Sequence, residues 1–102
     1  YQDETLQLSH RQLVLHLSNS TVQYQEQTAE LSRNESIILQ TMMRNLGRIV
    51  SREELMQSLW NDDQFVDDNT LTVNVNRLRR RIAALGLEEF ISTRKGLGYI
   101  IE

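Results

Sequence analysis

Asn69-Thr70-Leu71-Thr72-Val73-Asn74-Val75-Asn76-Arg77-Leu78-Arg79-Arg80-Arg81-Ile82-Ala83-Ala84-Leu85 is the stretch on which two local rules disagree. Its first half alternates polar and apolar residues and is β-branched, which favours a strand over a helix. Over the full stretch, Leu71, Val75, Leu78, Ile82 and Leu85 recur at spacings of four, three, four and three. At the helical rotation per residue they fall within about 40° of one direction. The longer pattern predicts a helix over 69–85, with Asp68 able to cap its start and Gly86 to close its end. Asn69, Val73, Asn76, Arg77 and Arg80 then point away from the apolar stripe, and Thr70, Asn74, Arg79 and Arg81 flank them. That outward face is short on acids.

Downstream, Phe90-Ile91-Ser92-Thr93-Arg94, Lys95-Gly96-Leu97-Gly98 and Tyr99-Ile100-Ile101 read as a hairpin around a glycine-bearing turn. Upstream, two Ser-x-x-Glu capping boxes announce helices. Ser32-Arg33-Asn34-Glu35 leads into Ile38, Leu39, Met42 and Leu46, and Gly47 supplies a left-handed stop, so a helix is predicted from Arg33 to Asn45. Ser51-Arg52-Glu53-Glu54 leads into Leu55, Leu59 and Trp60, a second and shorter helix. Between Asn61 and Asp68 lie four aspartates, too polar for core. Residues 4 to 31 alternate with period two and carry the turn-forming Ser18-Asn19-Ser20, which predicts three or four short strands in a small antiparallel sheet.

With 102 residues, 39% of them hydrophobic and 25% charged, the chain fits one folded domain spanning 1–102. No cysteine is present, which excludes disulfides, thiolate zinc sites and cysteine nucleophiles and suits a reducing cytoplasm. No apolar run approaches the ~20 residues of a membrane span, and Tyr1-Gln2-Asp3-Glu4-Thr5 is unlike a signal peptide. The start without Met suggests a fragment whose upstream domain is missing. A net charge of −3 argues by itself against a nucleic-acid partner, but the charge is unevenly spread. Residues 1–68 hold five arginines against eleven carboxylates, a net of −6, whereas 69–102 hold six cations against three carboxylates, a net of +3. One part of the molecule should attract anions and another repel them.

An α+β order of strands, three helices and a hairpin, with a basic stretch confined to the last helix and hairpin, is the layout of a winged helix-turn-helix. The residue types suit reading of the major groove. Arg bonds guanine O6 and N7, Asn pairs bidentately with adenine N6 and N7, and the methyls of Val73 can pack on a thymine methyl. Thr70, Asn74, Arg80 and Arg81 sit where phosphates could be held, and Arg94 and Lys95 at the hairpin tip could reach a neighbouring groove or its backbone. The plain alternative is a solvated arginine face. His10 and His16 have no spaced partner for a metal and read as surface or rim residues. Asp62, Asp63, Asp67 and Asp68 lack the alternating ligand order of a calcium loop, and Gly96-Leu97-Gly98 precedes no helix and so is no phosphate loop. No nucleophile with a base, no metal set and no cofactor loop supports an enzyme.

Taken in order, Leu31-Ser32 with Glu35, Gly47 through Leu55 up to Trp60, Asp68 through Ile82, and Thr93-Arg94-Lys95-Gly96-Leu97-Gly98-Tyr99 resemble the effector domain of OmpR/PhoB-type response regulators over essentially the whole chain. Asp68-Asn69-Thr70-Leu71-Thr72-Val73-Asn74-Val75 looks most like the branch controlling cell-envelope stress and antimicrobial-peptide resistance in Gram-positive bacteria. The resemblance implies four N-terminal strands, three helices and a hairpin, with helix 69–85 in the major groove and the wing 90–101 at the minor groove of double-stranded DNA. It makes Arg77 the principal base reader and matches Asn69, Thr70, Asn74, Asn76 and Arg79 to base or phosphate positions, and Thr93 and Lys95 to wing contacts. Family members often carry Arg or His where this chain has Asn69, Asn74 and Asn76. It further implies that Asn61, Asp62, Asp63 and Gln64 touch RNA polymerase, that a receiver domain lies upstream under a cognate histidine kinase, and that two copies bind head to tail on a direct repeat. No cofactor is implied. A competing reading keeps the winged fold but gives the arginine face to an acidic protein partner.

Overall fold

In the computed structural model, residues 7–102 are described; the expected strand residues 4–6 lie outside them. Four strands come first: β1 (Gln7–His10), β2 (Leu13–His16), β3 (Thr21–Tyr24) and β4 (Gln27–Glu30), paired antiparallel in the order β1-β2-β3-β4. Leu8 faces Leu15, and Leu15 faces Val22, so the period-two pattern places one apolar row on the core side. The turn at Ser18–Ser20 is where the composition placed it, with Ser20 at φ 57°. The β1–β2 turn carried no such signal. There Arg11 and Gln12 both take positive φ, 53° and 71°, as the twist of a two-residue hairpin requires, although neither is glycine or asparagine.

Helix α1 (Arg33–Met43) and helix α2 (Arg52–Asn61) start at Ser32 and Ser51, and both capping boxes close in both directions. Each N-cap is worth about 1 kcal/mol. The first helix ends two residues earlier than expected, because Gly47 serves a different task from stopping it. Gly47 takes φ 78° in the following turn and donates its N–H to the Ile101 carbonyl at 2.9 Å, tying this turn to the C-terminal segment.

Helix α3 (Asp68–Ala84) resolves the conflict in favour of the long pattern: Leu71, Val75, Leu78 and Ile82 are buried, and Leu85 forms the C-cap. Five apolar side chains on one stripe, each contributing about 2 kcal/mol when buried, outweigh a β-branched penalty of a few tenths per residue. The cap is Asp67 and not Asp68. Asp67 accepts from the Thr70 N–H at 2.8 Å, while Asp68 is the first helical residue and pairs with Arg52. Gly86 follows at φ 111°, where the helix was expected to close.

The hairpin consists of β5 (Ser92–Arg94) and β6 (Gly98–Ile100). It is shorter than the expected 90–101, since Phe90 and Ile91 are buried in the core before the strand begins. Tyr99 exchanges two backbone hydrogen bonds with Val50, at 2.8 and 3.0 Å, so the hairpin is clamped to the α1–α2 connection. One core joins Leu15 and Val22 of the sheet, Leu39, Leu59 and Leu78 of the helices, and Tyr99 of the hairpin.

Candidate nucleic-acid interface

The apolar stripe of α3 dictates what its other side presents. Asn69, Thr70, Val73, Arg77 and Arg80 are exposed along it, and Asn76 and Arg79 are half-buried on the edge nearest the hairpin. Val73 is 45% exposed amid polar neighbours, a placement that folding alone does not favour. Lys95 and Leu97 stand exposed at the hairpin tip, with Leu97 at 61%. Leu97 was not singled out from the sequence, where it read only as turn chemistry. A 17-residue helix beside a projecting hairpin has the dimensions to fill a groove about 12 Å wide while the tip reaches past the intervening backbone.

Several residues expected on this face have other commitments. Asn74 is 6% exposed, and its amide donates to the Thr70 carbonyl at 2.8 Å, so it turns back along its own helix. Arg81 leans toward α1, where its Nε lies 3.0 Å from Glu35 Oε1. Glu35 is 1% exposed, so this guanidinium neutralises a carboxylate that the capping box has drawn into the interior. Arg94 bonds Glu102 at 2.6 Å and is half-buried, which leaves Lys95 as the cation displayed at the tip.

The remaining side chains brace helix against wing. Arg79 donates to Thr93 Oγ1 of β5 and to Asn76 Oδ1, both at 2.8 Å, and lies 5.9 Å from the centre of the Tyr99 ring. Arg52, at the start of α2, lies at the same distance from that ring and donates to the Tyr99 hydroxyl at 2.7 Å. The same guanidinium reaches Asp68 Oδ1, the Asp68 carbonyl and Thr72 Oγ1. Tyr99 thus has an arginine from each of two helices beside it. Neither Arg52 nor Tyr99 was marked as a site residue from the sequence, because residues 52, 72, 79 and 99 meet only through the tertiary fold.

The Asn61–Asp68 loop is less available than its composition suggested. Asp62 pairs with Arg33, Asp67 caps α3, and Asp68 pairs with Arg52. The Thr70 backbone N–H holds the Asp67 carboxyl below its usual range. Asp63, at φ 62°, has no ion pair among the described residues. Gln64 folds back on the Asp62 carbonyl, whereas Phe65 is 81% exposed. His10 donates to the Glu102 carbonyl at 2.7 Å, and His16 lies 3.3 Å from Gln23. Among the described residues no three His, Cys, Asp or Glu side chains are placed to share a metal ion, and no helix is long and apolar enough to cross a membrane.

Residues 25–101 match the family model described as transcriptional regulatory protein, C terminal. The sensory transduction protein BceR of Bacillus subtilis is 56% identical over 73 residues, 72% of this chain and 32% of that protein. The response regulator protein GraR of Staphylococcus aureus strain MRSA252 is 42% identical over 98 residues, 96% of this chain and 44% of that protein. The chain therefore spans less than half the length of these relatives. Among solved structures, the C-terminal domain of the nisin resistance regulator NsrR superposes with a TM-score of 0.84 at 34% identity, covering 92% of this chain and 95% of that one. The AdeR DNA-binding domain, solved with an intercistronic region, superposes at 0.79 with 19% identity over 92% of this chain and 96% of that one, a likeness of fold. The chain belongs to the family of C-terminal domains of transcriptional regulatory proteins, the DNA-binding effector domains of OmpR/PhoB-type response regulators, on the branch that includes the nisin resistance regulator.

Proposed function

We propose that this domain reads a specific duplex sequence with α3 in the major groove and the β5–β6 wing at the minor groove. The observation that carries the reading is the exposed row Asn69, Thr70, Val73, Arg77 and Arg80, which combines base-reading side chains, one wholly aliphatic residue and no carboxylate. Arg77 reads a guanine edge and Val73 a thymine methyl; Thr70 and Arg80 hold phosphates, and Lys95 enters the adjacent groove. Asn69 lies at the start of the helix, within reach of a base or a phosphate.

The wider assembly follows from the same reading. A receiver domain upstream, phosphorylated by a cognate histidine kinase, brings two effector domains head to tail onto a direct repeat. The protein works in the cytoplasm and turns over no substrate. Phe65, raised on the Asn61–Asp67 loop beside Asn61, Asp63 and Gln64, is the apolar anchor for RNA polymerase. Its exposure supports this assignment better than the loop's acidity, most of which is spent within the fold.

Selection from random duplexes followed by sequencing, at low and moderate salt, tests the reading. Enrichment of half-sites about one helical turn apart is expected. No enrichment, together with no salt-sensitive binding, would give the Arg77 face to an acidic protein partner instead.

A further inference from the structure

Arg79 belongs by residue type among the phosphate contacts, yet its guanidinium is occupied on two sides. One nitrogen donates to Thr93 and another to Asn76, the side chain is half-buried, and the plane lies near the Tyr99 ring. Asn76 is the outward-facing partner in this arrangement. Its Oδ1 already accepts from Arg79 at 2.8 Å, which settles which end of the amide is which and leaves Nδ2 as the end without a partner among the described residues. A free asparagine can offer a donor and an acceptor together, the pattern that matches adenine N6 and N7. With one lone pair of its oxygen engaged and its rotation fixed by Arg79, Asn76 presents Nδ2 as its free donor.

We infer that Arg79 is a positioning residue that holds the Asn76 amide with its donor toward DNA, so that this position takes a hydrogen-bond acceptor. This rests on the DNA-reading assignment of α3. The acceptor is either a base atom (guanine N7 or O6, thymine O4, adenine N7) or a phosphate oxygen, and both accept the same N–H. The planar fork of Arg79 is essential, because one group must bond Thr93 and Asn76 at once; a lysine keeps the charge but cannot span both.

Arg79→Lys, Asn76→Ala and the double variant separate the possibilities on an operator enriched by the unmodified domain. Failure of the unmodified domain to enrich any site overturns the DNA reading itself. Given a site, Arg79→Lys is expected to weaken binding roughly 3- to 10-fold, the worth of one hydrogen bond, while having almost no further effect in the Asn76→Ala background. Thermal unfolding of both single variants close to that of the parent excludes a general loss of fold. An effect confined to one base pair identifies a base acceptor, and a uniform effect identifies a phosphate. Two results overturn the proposal: full affinity for Arg79→Lys, which would mean that charge alone matters, or an equal loss in both backgrounds, which would place Arg79 on DNA directly.

Discussion

At the scale of single residues, the four arginines within positions 77–81 are held differently. Arg77 and Arg80 are exposed and unpaired among the described residues, whereas Arg81 is bonded to the buried Glu35. Arg77→Ala is expected to lose ~1 to 3 kcal/mol of binding and to relax preference at one base pair, whereas Arg80→Ala weakens all sequences alike and lowers the salt slope by about one. Titrations of several duplexes against salt distinguish these outcomes; equal behaviour of the two variants would refute the division of roles. Arg81→Ala acts on folding instead, since it leaves the Glu35 carboxylate inside without its cation. Urea unfolding should show a loss of ~1 to 3 kcal/mol, against less than about 0.5 for Arg80→Ala. Four arginines at 77 and 79–81 look alike in one dimension. Which of them are free depends on the partners at 35, 76 and 93; helical spacing brings Asn76 beside Arg79, but Glu35 and Thr93 come from other elements.

At the scale of elements, caps and close approaches decide how the helices and wing are held. The cap of α2 carries a titratable group: bonds from Arg48 at 2.9 and 3.2 Å, and then the Ser51 N–H, lower the Glu54 carboxyl from its ordinary 4.5 to about 2. A depressed carboxylate stabilises the fold above its unfolded pKa, so this contribution is complete above pH 4.5 and fades as pH falls toward 2. Glu54→Gln should flatten the stability profile in that window, and raising salt should shrink the difference because the pair is exposed. The wing depends on Gly98, at φ 146°, where a Cβ would lie 2.2 Å from the Val50 carbonyl oxygen. Gly98→Ala is expected to destabilise the domain by at least about 2 kcal/mol and to pry the wing from the α1–α2 connection. Unaltered amide exchange at Val50 and Tyr99 would contradict this. Both serine boxes were legible in the sequence because capping is local; the Gly98–Val50 approach was not, since it joins residues 48 positions apart.

For the whole molecule, charge and exposure divide the surface into a basic reading edge and an acidic remainder. The six cations of residues 69–102 overstate the reading edge, because Arg81 and Arg94 are paired with carboxylates and Arg79 is bonded to Thr93 and Asn76. Among the described residues of this segment Arg77, Arg80 and Lys95 are the cations left without a partner, so affinity of an isolated domain for DNA is expected to be modest and steeply salt-dependent. Phe65 is exposed on the loop that precedes α3. Phe65→Ala should leave DNA affinity within about two-fold while reducing transcript yield in a purified polymerase assay, since an apolar anchor at a partner surface is worth a few kcal/mol. Equal yield from parent and variant would remove Phe65 from the polymerase contact.

By itself, the sequence determined the order and type of the elements. Two serine boxes, a 3.6-residue apolar stripe and a glycine-bearing turn are short-range signals, and each acts through bonds or burial within its own element. It also determined that the third helix turns Arg77, Arg80 and Val73 outward, because helical geometry follows from the stripe alone. Only the tertiary structure decided that Asp67 and not Asp68 caps that helix, that Asn74 turns inward, that Arg81 reaches Glu35 of the first helix, and that Arg52 and Arg79 meet at Tyr99. Those outcomes are competitions for shared partners: Asp68 is claimed by Arg52, Arg81 by the buried Glu35, Arg79 by Thr93 and Asn76. A hydrogen bond requires its two atoms within about 3 Å, and which atoms come that close is fixed when the helices and wing pack on one core.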